Sequence, residues 1–508
     1  MIGGEEMKRP YVYLVGAGPG DEDLITVKGL ACIKKADVIL YDRLANPNLL
    51  RHKKDEAICI NVGKSPHHHQ YTQEEINALL VEKASAGNIV TRLKGGDPYV
   101  FGRGGEEALA LLEKGIAFEV VPGITSAIGA SNYGGIPVTH RNVSTSFHVI
   151  TGHEDPTKGK STVNYEALAK LEGTLVFLMG VGNLKEITEE LIKHGKALET
   201  PVALVHRGTT GRQKTVTGTL ANIKEVVEKN QIESPSIIII GEVVNLRDGL
   251  NWVEGLPLHG KRVLVTRTRQ QASQLTTKIK ALGGEVVEFP TIEIKPSENL
   301  AEIDKKMKAI DVADYIIFTS VNGVDSFFKR LRTLKKDIRD IGKGKVVAIG
   351  TATAEALEER GLVVELIPEV FTAEGILESL KGVIKKGDTV FLPRAEIARK
   401  NLVTGLMEMG AIVEEIPIYQ TVIPTHRKEE LLEILQEGVD IITFTSSSTA
   451  NHFMEILGKE NAELLSNSKI AVIGPITGKT VVELGLSVDC QGREYTIDGL
   501  INGIVEGL

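Results

Sequence analysis

The chain has 508 residues, 42% of them apolar and 25% charged, and a formal net charge of -8 at pH 7. That length exceeds a single hydrophobic core and predicts several domains, while the net acidity argues against a general nucleic-acid binder. Cys32, Cys59 and Cys490 are the three cysteines; they are scattered with no CxxC spacing, which fits a reducing compartment and supplies no metal site.

The opening residues, MIGGEEMKRPYVYLVG, lack the apolar stretch of a signal peptide. No apolar run approaches the roughly 18 residues that span a bilayer. The longest, around Ile237–Ile240, has the length of a strand. A cytoplasmic protein with no membrane partner is expected.

Taken in chain order, short Val- and Ile-rich runs alternate with helical patterns: YVYLVG, ADVILYD, NIVTRL, FEVVPG, TLVFLMG and PVALVHRG. This is the rhythm of an α/β protein whose strands are buried on both faces. After the first strand, DEDLITVKGLACIKKAD predicts a helix with Leu24, Val27 and Ala31 on one stripe. The pattern closes at Trp252, and a new strand opens at Lys261, so residues 253–260 read as a linker. Beyond it the chain repeats itself: ALGGEVVEFP (281–290) with EMGAIVEEIP (408–417), DYIIFTSVNGVDSFF (314–328) with DIITFTSSSTANHFM (440–454), and VAIGTATAEALEERGL (347–362) with AVIGPITGKTVVELGL (471–486). Three blocks in one order at nearly one spacing predict a duplicated α/β unit with two similar lobes and a cleft between them.

Several motifs compete for the chemistry. VGAGPGDEDLIT (15–26) stands between a strand and a helix, and Asp42 ends the next strand. A dinucleotide fingerprint would place its third glycine where Asp21 stands and would not put Pro19 inside the turn. A tight turn needing positive φ is the plainer reading. The GKS at 63–65 and GKT at 478–480 lack the glycine spacing of a phosphate-binding loop. His67, His68 and His69 are adjacent, with no carboxylate or cysteine spaced beside them as ligands, and read as a solvated turn and not a metal site.

LKGGDPYVFGRGGEE (93–107) follows the strand NIVTRL, at the carboxyl end where open α/β sheets bind ligands. Gly95 and Gly96 let backbone approach a ligand. Asp97 suits hydrogen bonds from hydroxyls or an amine. Arg103 suits a carboxylate, and Glu106 either holds Arg103 or meets a substrate N–H. A glycine-rich hinge is the competing reading.

In order, GAGPGD, YDRL, LKGGDPYVFGRGGEE, VPGITSA, GIPVTHR and GEVVNLRDGLNW resemble the uroporphyrinogen-III C-methyltransferases of the tetrapyrrole methylase family over residues 10–253. Ser65 and Val253 depart from the usual pattern. The resemblance implies a two-lobed methylase fold with S-adenosyl-L-methionine between the lobes. Its cofactor contacts would be Pro19, Gly95, Gly96, Asp97, Val100, Thr125, Ser126, Met179 and Gly208. Asp42 matches the family's proposed base and Lys64 its proposed acid. The implied reaction methylates uroporphyrinogen III at C2 and C7 to precorrin-2, on the route to sirohaem and cobalamin. A polycarboxylate substrate needs local cations; Arg103 and Arg141 are the foremost, with Arg43, Lys64 and Arg92 beside them. For Arg43 and Arg92 salt bridges are the competing role. The family implies a homodimer through this half.

Residues 260–508 resemble uroporphyrinogen-III synthase through the duplicated lobes, TR at 266–267, FTS at 318–320 and 444–446, IPIYQT at 416–421 and IGPITG at 473–478. The resemblance implies two interleaved flavodoxin-like lobes, about 261–294 plus 421–508, and 295–420. It also implies cofactor-free closure of hydroxymethylbilane with inversion of ring D. Tyr419 matches a family tyrosine near the leaving hydroxyl, with a packing role at the lobe hinge as the alternative. Helix starts after Ser320, Ser446 and Thr477 would receive substrate carboxylates. The expectation is a bifunctional enzyme; the alternative makes the second half a non-catalytic tetrapyrrole-binding lobe.

Overall fold

The computed structural model describes residues 11–63, 71–153, 162–267, 269–398 and 400–508. By their contacts they divide into two compact units, residues 1–263 with 275–287, and 264–274 with 288–508. Among the described residues no helix is long and apolar enough to cross a membrane.

The first unit begins with five parallel strands: β1 (Tyr11–Gly16), β2 (Val38–Tyr41), β3 (Ile58–Asn61), β4 (Ile89–Lys94) and β5 (Ala117–Val121), in the order β3-β2-β4-β1-β5. A second sheet holds β6 (Phe147–Thr151), β7 (Thr174–Leu178), β8 (Pro201–His206), β9 (Lys214–Thr219) and β10 (Ser236–Ile240), in the order β6-β7-β10-β8-β9. Here the central β10 runs antiparallel to both neighbours. Its SIIII sequence is buried throughout, as a strand of four consecutive isoleucines covered on both faces must be.

The helical stripe expected after β1 is different in the structure. The Thr26 side chain accepts a hydrogen bond from Gly29 N at 3.0 Å and starts the helix Val27–Lys35. Val27 therefore sits at the first helical position and is 89% exposed. The buried face is Gly29, Cys32 and Ile33, and Leu24 belongs to a separate turn, Glu22–Leu24. Residues 253–260, expected as a linker, form packed turns: Val253 and Leu258 are buried, and Leu258 N donates to Leu282 O at 2.9 Å.

The remaining strands are β11 (Arg262–Val265), β12 (Glu285–Glu288), β13 (Glu293–Pro296), β14 (Tyr315–Phe318), β15 (Lys345–Ala348), β16 (Thr389–Ala395), β17 (Ile412–Val422), β18 (Ile441–Phe444), β19 (Lys469–Val472) and β20 (Cys490–Gln491). They form two sheets, β12-β11-β18-β19-β20 and β13-β17-β16-β14-β15. The internal repeat is visible in their registers. Tyr315 pairs with Lys345 across parallel β14 and β15, and Ile441 pairs with Lys469 across parallel β18 and β19. In each copy the second strand's first lysine donates its N–H at 2.8 Å to the aspartate before the first strand, Lys345 to Asp314 and Lys469 to Asp440. Each first strand runs into a helix capped by a serine, Ser320 before Val321–Thr333 and Ser446 before Ser447–Leu457.

Candidate active sites

In the first unit three glycine turns converge at the carboxyl ends of β1, β4 and β5. Gly96 N donates to Gly18 O at 2.7 Å, and Gly18 N donates back to Gly96 O at 3.2 Å. A Cβ on Gly123 would lie 2.2 Å from Gly96 O and 2.7 Å from Gly16 Cα. Gly18 and Gly96 have φ of +80° and +68°, conformations that glycine adopts without strain. Backbone there packs on backbone, and a Cβ on Gly96 would meet only Thr125 Cα at 3.8 Å and Ser126 N at 3.9 Å. The three turns thus meet backbone to backbone at one end of the sheet, leaving open space over the Gly96 Cα.

Asp97 shapes that junction. Its Oδ1 accepts from Tyr99 N at 2.8 Å and its Oδ2 from Gly123 N at 3.0 Å, tying the 95–99 loop to the 122–126 turn. Thr125 caps the helix Ser126–Tyr133. A Cβ on Gly129 of that helix would lie 2.6 Å from Pro19 Cγ, and one on Gly208 would lie 2.3 Å from Ala130 Cβ. Pro19 and Gly208 thus flank one helix. The GAGPG turn is tied to the second sheet's loop by Asp21 N donating to Thr209 Oγ1 at 3.0 Å, and to that helix by Tyr133 Oη donating to Asp21 Oδ2 at 2.9 Å. Met179 follows β7 with φ of +56° and an exposed side chain, while Val100 packs against the core cluster that includes Ala127 and Ala130.

Asp42 stands just past the end of β2, beside the first loop's strand. Arg92 Nη2 donates to its Oδ1 at 2.5 Å. Arg92 is fully buried, and its Nε reaches Glu107 Oε1 at 2.9 Å; Lys94 Nζ reaches the same oxygen at 2.8 Å. Burial pushes the Lys94 ammonium below its ordinary pKa, with the Arg92 charge adding to the effect and Glu107 opposing it. Of the two roles open to Arg92, substrate cation or salt bridge, the structure shows the salt bridge, inside this internal network. Glu107 and Lys94 had no role in the sequence reading. The readable signal is two cations at alternating positions, Arg92 and Lys94, of a buried strand, which demand a buried carboxylate.

Arg103 and Glu106 are exposed and form a bidentate pair, Nε to Oε1 at 2.8 Å and Nη2 to Oε2 at 2.7 Å. The pair holds the Glu106 carboxylate below its ordinary pKa. Arg141 is exposed in the turn closed by His140 N donating to Ser144 O at 3.0 Å. Lys64, Ser65 and His67–His69 lie outside the described residues.

In the second unit, Tyr419 on β17 is buried, and its Oη lies 3.0 Å from Ser320 Oγ. Ser320 Oγ also accepts from Gly323 N at 3.0 Å. Ser446 caps its helix by accepting from Thr449 N at 3.3 Å. Thr477 is a correction: the helix starts at Pro475 with Gly474 as its cap, so Thr477 is a buried residue inside the first turn. Pro475 carried that signal, since proline favours the first helical position.

The fold and these sites define a methylase joined to a synthase. Residues 11–224 match the family model for tetrapyrrole (corrin/porphyrin) methylases, and residues 273–502 match that for uroporphyrinogen-III synthase. The porphyrin biosynthesis protein HemD of Ruminiclostridium josui is 36% identical over 98% of both chains. The chain belongs to this family of fused tetrapyrrole methylase and uroporphyrinogen-III synthase proteins. The S-adenosyl-L-methionine-dependent uroporphyrinogen III methyltransferase of Methanosarcina barkeri is 54% identical, covering 47% of this chain and 93% of its own. The crystal structure of uroporphyrin-III C-methyltransferase from Thermus thermophilus with S-adenosyl homocysteine is 40% identical over 46% of this chain and 99% of its own, with a TM-score of 0.41.

Proposed function

We propose that the chain closes hydroxymethylbilane to uroporphyrinogen III with inversion of ring D, and then methylates that product at C2 and C7 to give precorrin-2. Residues 1–252 would carry the methyltransferase and residues 261–508 the synthase. The two sheets of residues 262–491 support the interleaved lobes, one drawn from 262–288 and 441–491, the other from 293–422.

The observation that carries the methylase reading is the meeting of the Gly16, Gly96 and Gly123 turns beside Asp42. When bound there, S-adenosyl-L-methionine supplies a sulfonium-activated methyl group. Gly95, Gly96, Thr125 and Ser126 edge the cradle, and Asp97 fixes its shape through two backbone N–H groups. Pro19, Val100, Met179 and Gly208 complete the proposed contacts. Asp42 takes the proton released by the methylated ring carbon, and Arg92 fixes where its carboxylate points. Exposed Arg103 and Arg141 meet substrate carboxylates, and Lys64 supplies the acid. Much of the rate then comes from holding the reacting atoms in line.

For the synthase, Tyr419 donates a proton to the leaving hydroxyl and no cofactor is needed. Ser320 and Ser446 start helices whose first N–H groups receive propionate or acetate side chains. A homodimer through the methylase half and a cytoplasmic location complete the proposal.

Anaerobic incubation with hydroxymethylbilane, with and without S-adenosyl-L-methionine, tests both activities in one experiment. Type III uroporphyrin without the methyl donor, replaced by a dimethylated product with it, is expected after oxidation. Type I uroporphyrin alone would refute the synthase, leaving a second half that binds tetrapyrrole without turning it over.

A further inference from the structure

A hydroxyl carries one proton and two lone pairs. At Ser320 one lone pair is taken by Gly323 N–H, which fixes the helix Val321–Thr333 in place. Two arrangements with Tyr419 Oη remain. Either the phenol donates to serine, and its proton is turned inward and spent, or serine donates to the phenol oxygen and the phenol proton is free to point elsewhere. The Tyr419 ring is held in the core with Phe318, Val324 and Ile416, so rotation about its C–O bond selects between them. Across the ladder, Ala395 is the register partner of Tyr419, and Glu396 N donates to Tyr419 O at 2.9 Å. The residue before them on β16, Arg394, is buried. Burial pushes its guanidinium below the ordinary pKa, and negative charge on Glu415 or Tyr419 acts in the opposite direction. A cation so placed gains from charge appearing on the phenol oxygen.

We propose that Ser320 is a positioning residue of the synthase: it donates its O–H to Tyr419 Oη, turning the phenol proton toward substrate, and steadies the phenolate left behind. The inference rests on Tyr419 being the acid. In that step the C–O bond of the hydroxymethyl group breaks with its electron pair going to oxygen. That oxygen takes the phenol proton and leaves as water, while the pyrrole nitrogen lone pair fills the carbon and forms the azafulvenium cation. The proton lost when the ring closes returns to the phenolate, so tyrosine is regenerated. Arg394, 3.7 Å from Glu415 Oε2, is the buried cation on the neighbouring strand through this interval.

Because Ser320 also caps a helix, loss of the cap must be separated from loss of the donated proton. Ser320→Asp keeps a cap acceptor, yet it accepts from the phenol and turns the proton inward. Ser320→Thr keeps both functions. In the full-length protein with hydroxymethylbilane, Ser320→Thr is expected within about twofold of the parent kcat. Ser320→Asp and Ser320→Ala should lose about tenfold or more in kcat with little change in KM, as for one lost hydrogen bond in the transition state. Tyr419→Phe should lose at least as much, and Ser320→Ala added to it should cost nothing further. Parent kcat in Ser320→Asp beside a disabled Tyr419→Phe would overturn the inference and leave the acid in place. Losses that multiply in the double variant would overturn it equally. Parent kcat in Tyr419→Phe would remove the acid itself, and the role of Ser320 with it.

Discussion

Arg92 binds Asp42 at 2.5 Å with one end of its guanidinium and Glu107 at 2.9 Å with another. The carboxylate proposed as the base is thereby clamped to a cation that is itself clamped inside the lobe. Asp42→Asn keeps a side chain of similar shape but cannot accept the ring proton. Methyl transfer should fall by roughly two to four orders of magnitude, the usual range for a lost general base. S-adenosyl homocysteine affinity should stay within about twofold, because the cradle is built from other turns. Single-turnover methylation of supplied uroporphyrinogen III, alongside calorimetric titration, separates the two. Undiminished methylation would remove Asp42 from the mechanism.

Glu107 carries the same network into stability. It is fully buried and shares one oxygen between Arg92 and Lys94. Glu107→Ala leaves two buried cations without their shared carboxylate and should cost about 3–5 kcal/mol, as breaking buried ion pairs does. Removing one cation as well, in Glu107→Ala with Lys94→Met, should recover part of that loss, since residues in one network do not add. Urea unfolding of the three proteins gives the comparison. Equal destabilisation in the single and double variants would show that the charge on Lys94 is not the cause.

The legible parts of this molecule were those in which short-range chemistry fixes backbone. The glycine turns, the strand rhythm and the internal repeat could all be read, because glycine at positive φ and buried all-apolar strands leave direct marks. What escaped reading depended on contacts distant in sequence. For Arg92 the sequence leaves a substrate cation and a salt bridge both open; only Glu107, fifteen residues on, decides for the buried pair. Two helix starts were misplaced for a local reason. Thr26 and Pro475 mark the first turns, so Leu24 falls outside the first helix and Thr477 inside the second. The antiparallel run of β10 carries no local mark, since a buried SIIII strand reads the same in either direction.

His206 gives the first unit a dependence on mildly acidic pH. Burial holds its imidazole below the ordinary value of 6.5, outweighing the Glu233 carbonyl at 2.8 Å, which favours the charged form. The folded protein thus binds fewer protons than the unfolded chain as pH falls through 6.5 and below. Stability from this site is complete above that value and is lost on acidification. Between pH 7.5 and 5.5 the urea midpoint of the parent should fall, and His206→Gln should flatten part of that slope. A slope unchanged in His206→Gln would assign the acid sensitivity to other groups.

Gly123 provides the sharpest test of the cradle. An added Cβ would stand 2.2 Å from Gly96 O, 2.7 Å from Gly16 Cα and 2.8 Å from Gly16 C. All three are backbone atoms, so no side chain can swing aside; the turns themselves must part. That displaces Gly96 and the 95–99 loop, which Asp97 ties to Gly123 N. Shifts on the scale of 1 Å at a positioning loop cost roughly 100-fold in rate, and Gly123→Ala should show such a loss in methyl transfer together with weakened S-adenosyl homocysteine binding. Gly105→Ala is the control on the same motif. It lies in the helix Gly104–Glu113, with nothing within 4 Å of its added Cβ. Alanine there should leave both readouts unchanged and stabilise the helix by about 0.5–1 kcal/mol. Equal behaviour of the two variants would mean that glycine at 123 serves chain flexibility and that the cofactor sits elsewhere.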